Sequence, residues 1–219
     1  MKRYLYRATI ESGEAARKFP ETFAASKDAL EASLKGAGVW TFSLFRWDRH
    51  LFAYLETDEA SFRPEFPPAL QSLLAAWPGE AEPRYAVPMV DIFHDGEPVD
   101  RERWRSGRHV EKCVGSLARL KPEQFASYVF YHYQMQEERP ESFNQTYVIG
   151  AHELLIFSYA ELPNSLSGNP RRGKLDTNRT PDRWHDVMVP HFEPWTDADP
   201  EDRILRKLEC ICSFGAATT

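Results

Sequence analysis

Cysteine is scarce in this 219-residue chain: Cys113, Cys210 and Cys212 are the only three. Their number is odd and no Cys-x-x-Cys spacing occurs. That argues against a disulfide framework or a zinc knuckle and for a reducing, cytoplasmic setting. Positive charge is not in excess either. Lys and Arg number 27 against 33 Asp and Glu, a net charge of −6, whereas a nucleic-acid face needs clustered positive charge. No apolar run approaches the roughly 20 residues that cross a bilayer, so no membrane partner is expected. The start, Met1-Lys2-Arg3-Tyr4-Leu5-Tyr6-Arg7, puts Arg7 where a secretory signal needs its apolar segment. Phosphate loops, dinucleotide fingerprints and Gly-x-Ser-x-Gly elbows are missing. What the chain has in quantity is aromatic side chains: 14 Phe, 9 Tyr and 6 Trp. With 42% hydrophobic residues, that composition suits a packed core in one large domain or two small ones.

An internal repeat organises these aromatics. Phe42-Ser-Leu-Phe-Arg-Trp-Asp-Arg-His-Leu-Phe-Ala-Tyr-Leu-Glu56 aligns with Tyr147-Val-Ile-Gly-Ala-His-Glu-Leu-Leu-Ile-Phe-Ser-Tyr-Ala-Glu161 at a constant offset of 105 residues. Each stretch reads as two short strands around a tight polar turn, at Trp47-Asp48-Arg49 and at His152-Glu153. A strand-like and then a helix-like segment precede each hairpin: residues 4–10 and 14–35 in one case, 113–120 and 122–138 in the other. Each half closes on a further apolar strand, residues 85–94 and 204–214.

The order β-α-β-β-α-β, read twice, is the ferredoxin-like split βαβ unit. The expected fold is therefore α+β. Two tandem ferredoxin-like halves, residues 1–94 and 112–214, flank a charged linker at 95–111, and a tail at 215–219 follows. A sheet with helices on one face must cover the other. Two copies packed sheet to sheet, as an intrachain pseudo-dimeric α/β barrel, would do so. The chain is then a monomer in the barrel sense, with further self-association open.

In the first helix Phe19, Phe23, Leu30 and Leu34 share one face and Gly36-Ala37-Gly38 ends the run. Pro20 fits only if the helix begins near it or bends there. In the second half Pro122 suits a first turn. Phe125, Tyr128, His132 and Met135 follow on the face that looks at the sheet. His132 lies one turn beyond Tyr128, so their side chains are neighbours. A histidine so placed can move protons near neutral pH, or can be a core histidine bonded to a carbonyl. His185 and His191, with Asp186 and Glu193, resemble a metal cluster by residue type. Their spacing puts the two histidines on different helical faces with Pro190 between, so no metal is expected. Residues 162–180, with Arg171-Arg172-Gly-Lys174, read as a solvated loop or as a lid over a pocket.

The stretch Leu120-Lys-Pro-Glu-Gln-Phe-Ala-Ser-Tyr128-Val-Phe-Tyr-His132 resembles the L-rhamnose mutarotase family. These are small dimeric α/β barrels that interconvert the α and β anomers of a pyranose. The resemblance covers the second half and, more weakly, the first. It implies that His132 and Tyr128 serve proton transfer, that Tyr147 and Trp184 bind the sugar, that the partner is a small carbohydrate, and that no cofactor is required. The chain departs from the family in its duplication, in a shorter path from His132 to Tyr147, and in the inserted loop. In the first half Phe19, Phe23, Phe42 and Phe66 occupy the equivalent positions, and none can exchange a proton. Two functions follow as expectations: a mutarotase-like isomerase, or a non-catalytic small-ligand or structural protein of the same fold.

Overall fold

A computed structural model describes residues 1–79, 81–166 and 171–216. Residues 217–219 of the expected tail and 167–170 of the expected loop lie outside the described residues. In chain order the elements are β1 (Lys2–Thr9), α1 (Glu14–Gly36), β2 (Val39–Trp47), β3 (His50–Thr57), α2 (Pro68–Gln71), β4 (Val87–Pro88), β5 (Val90–His94), α3 (Arg101–Arg105), β6 (Lys112–Leu120), α4 (Phe125–Glu138), β7 (Val148–His152), β8 (Leu155–Leu162), α5 (Trp184–Met188), β9 (Phe192–Glu193), β10 (Arg206–Lys207) and β11 (Glu209–Phe214). They form two antiparallel sheets in an α+β fold. One has the order β11-β2-β3-β1-β4, the other β10-β6-β8-β7-β5, with β9 also paired to β6. Among the described residues no helix is long and apolar enough to cross a membrane.

The hairpins repeat pair for pair. Ser43 faces Tyr54, Phe45 faces Phe52 and Trp47 faces His50. At the offset of 105, Val148 faces Tyr159, Gly150 faces Phe157 and His152 faces Leu155. Both turns put one residue in the left-handed region, Asp48 at φ 51° and Glu153 at φ 56°, as a tight connection between twisted strands demands. The shared Tyr-x-Glu ending has one use in both. The Tyr54 hydroxyl donates to Glu56 at 2.5 Å and the Tyr159 hydroxyl to Glu161 at 2.9 Å, and all four residues are buried.

The closing strands depart from the sequence halves. Residues 85–94 break at Met89 and residues 204–214 break at Leu208. Before each break the chain pairs at home: β4 with β1, β10 with β6. The backbone N–H of Met89 then donates to Leu5 O and that of Leu208 to Gly115 O, both at 2.9 Å. After each break the chain joins the other sheet: β5 pairs β7, and β11 pairs β2. The compact units are accordingly Met1–Met89 with Glu209–Thr219, and Val90–Leu208, in place of 1–94 and 112–214. The physical reason is that a short apolar strand satisfies any open sheet edge, and its own composition does not choose between two equivalent edges.

Residues 95–111 are more than a tether. Asp95 and Trp104 are buried, and Arg108 lies over the Trp104 ring at 4.5 Å. The Arg105 and Arg108 guanidiniums reach the buried Glu161 carboxylate at 2.8 and 3.4 Å. This part of the expected linker is built into the second unit.

In the first unit α1 lays Phe19, Phe23, Leu30 and Leu34 on Leu51, Ala53 and Leu55. The helix starts at Glu14 and runs through Pro20 instead of beginning there. Pro20 stands on the exposed side. In the second unit Tyr128 of α4 packs with Ala118, Leu120, Ile149, Ile156, Met188 and Phe192.

Candidate functional site

Pro122 opens a single 3-10 turn, Pro122–Gln124, whose missing N–H needs no partner there, and α4 follows directly. One helical turn separates Tyr128 from His132, so their rings lie side by side with centroids 4.1 Å apart. His132 Nδ1 is 2.8 Å from the Tyr128 carbonyl oxygen. A carbonyl can only accept, so Nδ1 carries the proton, and neutral His132 leaves its Nε2 unprotonated. His132 is bonded to a carbonyl and also lines a cavity.

His132 is only 4% exposed. Burial pushes its pKa down to about 4, the nearby His191 adds to the shift, and the bond to Tyr128 opposes it. It is neutral at pH 7. Burial likewise raises the pKa of the Tyr128 phenol well above its ordinary range, helped by the proximity of Tyr147. Tyr147 is raised by burial too, against a hydrogen bond from Ser158. Both phenols therefore stay protonated.

The cavity has a volume of about 430 Å³, and Tyr128, His132, Tyr147 and Trp184 all line it. Tyr128 and His132 come from α4, Tyr147 from the loop before β7 and Trp184 from the start of α5. Tyr147 stands just before β7, where its carbonyl accepts the Asp95 N–H at 3.1 Å and its own N–H reaches Asn144 O at 2.8 Å. The Asp95 carboxylate in turn accepts the N–H groups of Ser142, Phe143 and Asn144 at 3.0, 2.8 and 2.6 Å. Trp184 opens α5, its ring meeting His132 edge to face at 5.0 Å. Ile149, Met188, Val189, Phe192, Ile204 and Leu205 supply apolar walls, and His185 and Glu201 add polar groups.

Some of these residues carried no readable signal. Phe93 stacks its edge near His132 at 5.9 Å and lies 6.0 Å from Tyr147. It comes from β5, a strand that sequence order assigns to the other half. Asp95 was hidden in a charged stretch, and Glu201 in a Pro/Asp-rich turn.

The 162–180 loop does not supply arginines to the cavity. None of its described residues lines it. Arg171 instead pairs with Glu97 at 2.7 Å and Glu141 at 2.9 Å, because acidic partners lie within its reach. His191 turns both ring nitrogens to protein partners, Ser127 Oγ at 2.8 Å and Val187 O at 2.9 Å. It is therefore a structural neighbour of the site.

The first unit shows the same positions filled. Phe19, Phe23 and Phe42 are 2%, 8% and 2% exposed, and Phe66 packs against them. Phe42 and Phe66 border a remnant of about 10 Å³, close to the minimum that admits a single water.

No protein-family model matches this chain, and no curated protein matches it. Among solved structures, a candidate monooxygenase from Fusobacterium nucleatum subsp. nucleatum is similar over 96% of this chain and 92% of its own, at 10% identity and a TM-score of 0.39. The likeness to the L-rhamnose mutarotase family therefore stands on the Leu120–His132 stretch, Tyr147 and Trp184 alone.

Proposed function

We propose that the cavity of the second unit binds a small pyranose and interconverts its anomers by acid–base catalysis. One observation carries this reading: an unprotonated histidine nitrogen and two protonated phenols share one cavity wall. Anomer exchange needs that pairing. The C1 hydroxyl gives its proton to His132 Nε2 while Tyr128 donates to the ring oxygen. The bond from C1 to the ring oxygen breaks and a C1 carbonyl forms. Rotation about C1–C2 and the reverse transfers close the ring on the other face and return both protons. Only protons move, so the reaction as written consumes no cofactor. Trp184 offers a flat face for the apolar side of the sugar, and Tyr147 a hydrogen bond to a hydroxyl.

A second reading is favoured by the walls, which are mainly apolar, and by the low basicity of His132. It is a pocket that holds a small hydroxylated ligand without turning it over. Saturation-transfer and anomer-exchange NMR on six-carbon and deoxy sugars separates the two. Accelerated exchange that vanishes in His132→Ala supports the isomerase. Saturation transfer without acceleration leaves the binding module, and neither effect with any sugar removes the carbohydrate reading.

A further inference from the structure

The segment that delivers Trp184 is held by a residue outside the cavity. Residues 173–180 run along the C-terminal end of α4. Gly173 passes so close that a Cβ there would stand 2.5 Å from both Glu137 O and Glu138 O. The Leu175 N–H donates to Glu137 O at 3.0 Å. Beyond it, one carboxylate gathers the chain. Glu138 Oε1 accepts the Arg179 N–H at 2.8 Å, the Gln134 amide at 2.7 Å and the Thr177 hydroxyl. Glu138 Oε2 accepts the Thr180 N–H at 2.8 Å and the Thr180 hydroxyl. Thr180 is buried, and Trp184 follows four residues later, at the start of α5. Both carboxylate oxygens are thus occupied by donors from the same short strap, which ends at the ring that meets His132. Glu138 itself does not line the cavity.

We propose that Glu138 is a positioning residue: by pinning residues 177–180 it sets the Trp184 ring against His132, and through that ring it fixes how tightly the cavity holds its ligand. The effect on affinity rests on the cavity being a ligand site, as proposed above; the effect on the ring pair does not. A carboxylate suits the task because it accepts on both oxygens. A carboxamide at this position turns an NH2 group toward one set of N–H and O–H donors, so Glu138→Gln is an intermediate lesion and Glu138→Ala a complete one. Thr180→Val is milder still, removing one donor while leaving the backbone N–H.

The test uses the full chain without ligand first. Two-dimensional NMR follows the His132 ring protons, whose shifts report the Trp184 ring edge to face with them, and hydrogen exchange follows the Arg179 and Thr180 amides. In Glu138→Ala both amides should lose protection and the His132 ring protons should move toward their shifts in Trp184→Ala, with Glu138→Gln and Thr180→Val graded between. Affinity for whichever pyranose the wild type binds should then fall about tenfold with the rate at saturation retained, the pattern of lost uniform binding. Unchanged amide protection would show that Glu138 does not hold the strap. Lost protection with unmoved His132 signals would show that the strap does not set the ring. Either result overturns the proposal. Should Glu138→Ala fail to fold, Glu138→Gln and Thr180→Val give the same two readings. If no pyranose binds, the ring signals still decide the proposal while the function proposed above falls.

Discussion

The two units share a strand order and a hairpin register but enclose different interiors. In the first, the void that Phe42 and Phe66 border is about 10 Å³, and a separate pocket of about 270 Å³ is lined by Phe66, Arg84 and Tyr85. In the second, Tyr147, which matches Phe42 in the hairpin repeat, and Trp184 line about 430 Å³. Stacked Phe19 and Phe23, with ring centroids 5.6 Å apart, replace the Tyr128 and His132 pair. The contrast shows how little of the backbone a pocket requires. The same hairpin, two-residue turn and helix border a small void in one unit and a polar-edged cavity in the other. A phenylalanine in a full core contributes contact area and excludes water. A tyrosine or histidine at the edge of a cavity keeps a polar atom available at the expense of packing.

That comparison can be broken most sharply at His132. If the second unit is the reacting one, His132→Ala should lower anomer exchange by roughly 10²–10⁴-fold, the range a positioned acid or base supplies. Exchange NMR on a fold-intact variant checks it. The next largest effect belongs to the other unit. Phe42→Ala should destabilise the chain by about 3–5 kcal/mol through the hole it leaves, whereas Tyr147→Ala, beside a space that is already open, should shift the urea midpoint less. Equal losses at the two positions would show that the second unit is as tightly filled as the first.

A third prediction concerns pH. His132 has its pKa lowered to about 4 in the folded chain, against about 6.5 when unfolded. Between those values the unfolded chain binds a proton that the folded chain refuses. Stability from this group is therefore complete above pH 6.5 and declines as pH falls toward 4, by about 3 kcal/mol. Urea midpoints at pH 7 and pH 4.5 should diverge less in His132→Phe than in the wild type, since that change makes the second unit resemble the first at this position. Trp184→Ala comes next, with affinity reduced about tenfold and the exchange rate at saturation little changed, as measured by titration and by saturating kinetics. The smallest effect should be equal in both units. Asp48→Gly and Glu153→Gly each relieve a left-handed residue, and each should raise stability by up to about 1 kcal/mol. A clear difference between the two would show that the turns are not equivalent.

What could be read in advance follows from which signals are local. The hairpins were legible because a period of two residues and a polar turn lie within fifteen positions, and the constant offset marks both copies. The Tyr128 and His132 pair was legible because residues four apart on a helix must be neighbours. The strand exchange at Met89 and Leu208 was not. An apolar run looks the same whichever open edge receives it, and the choice depends on residues about 55 positions away for β5 and about 160 for β11. Asp95 is a similar case. Its carboxylate organises the turn before Tyr147, yet in the sequence it is one acid in a charged stretch. The arginines of the 162–180 loop misled for the same reason: a long loop brings them to Glu97 and Glu141, and no local pattern announces those partners.

The exchanged strand also bears on how the protein is made. β2 ends at Trp47, but the strand that covers its edge begins at Glu209, about 160 residues later. At roughly 5–20 residues per second, a ribosome needs about 10–30 s to deliver it. During that interval the nascent first unit carries an unpaired strand edge, the kind of surface on which neighbouring chains add strands. In the second unit the equivalent edge has no such wait, since β5 is synthesised before β7, although the edge of β6 is covered only when β9 and β10 arrive. Synthesis therefore leaves the β2 edge open while the whole of the other unit is made, and a polysome crowded with such chains is where strands from two molecules would cross-pair.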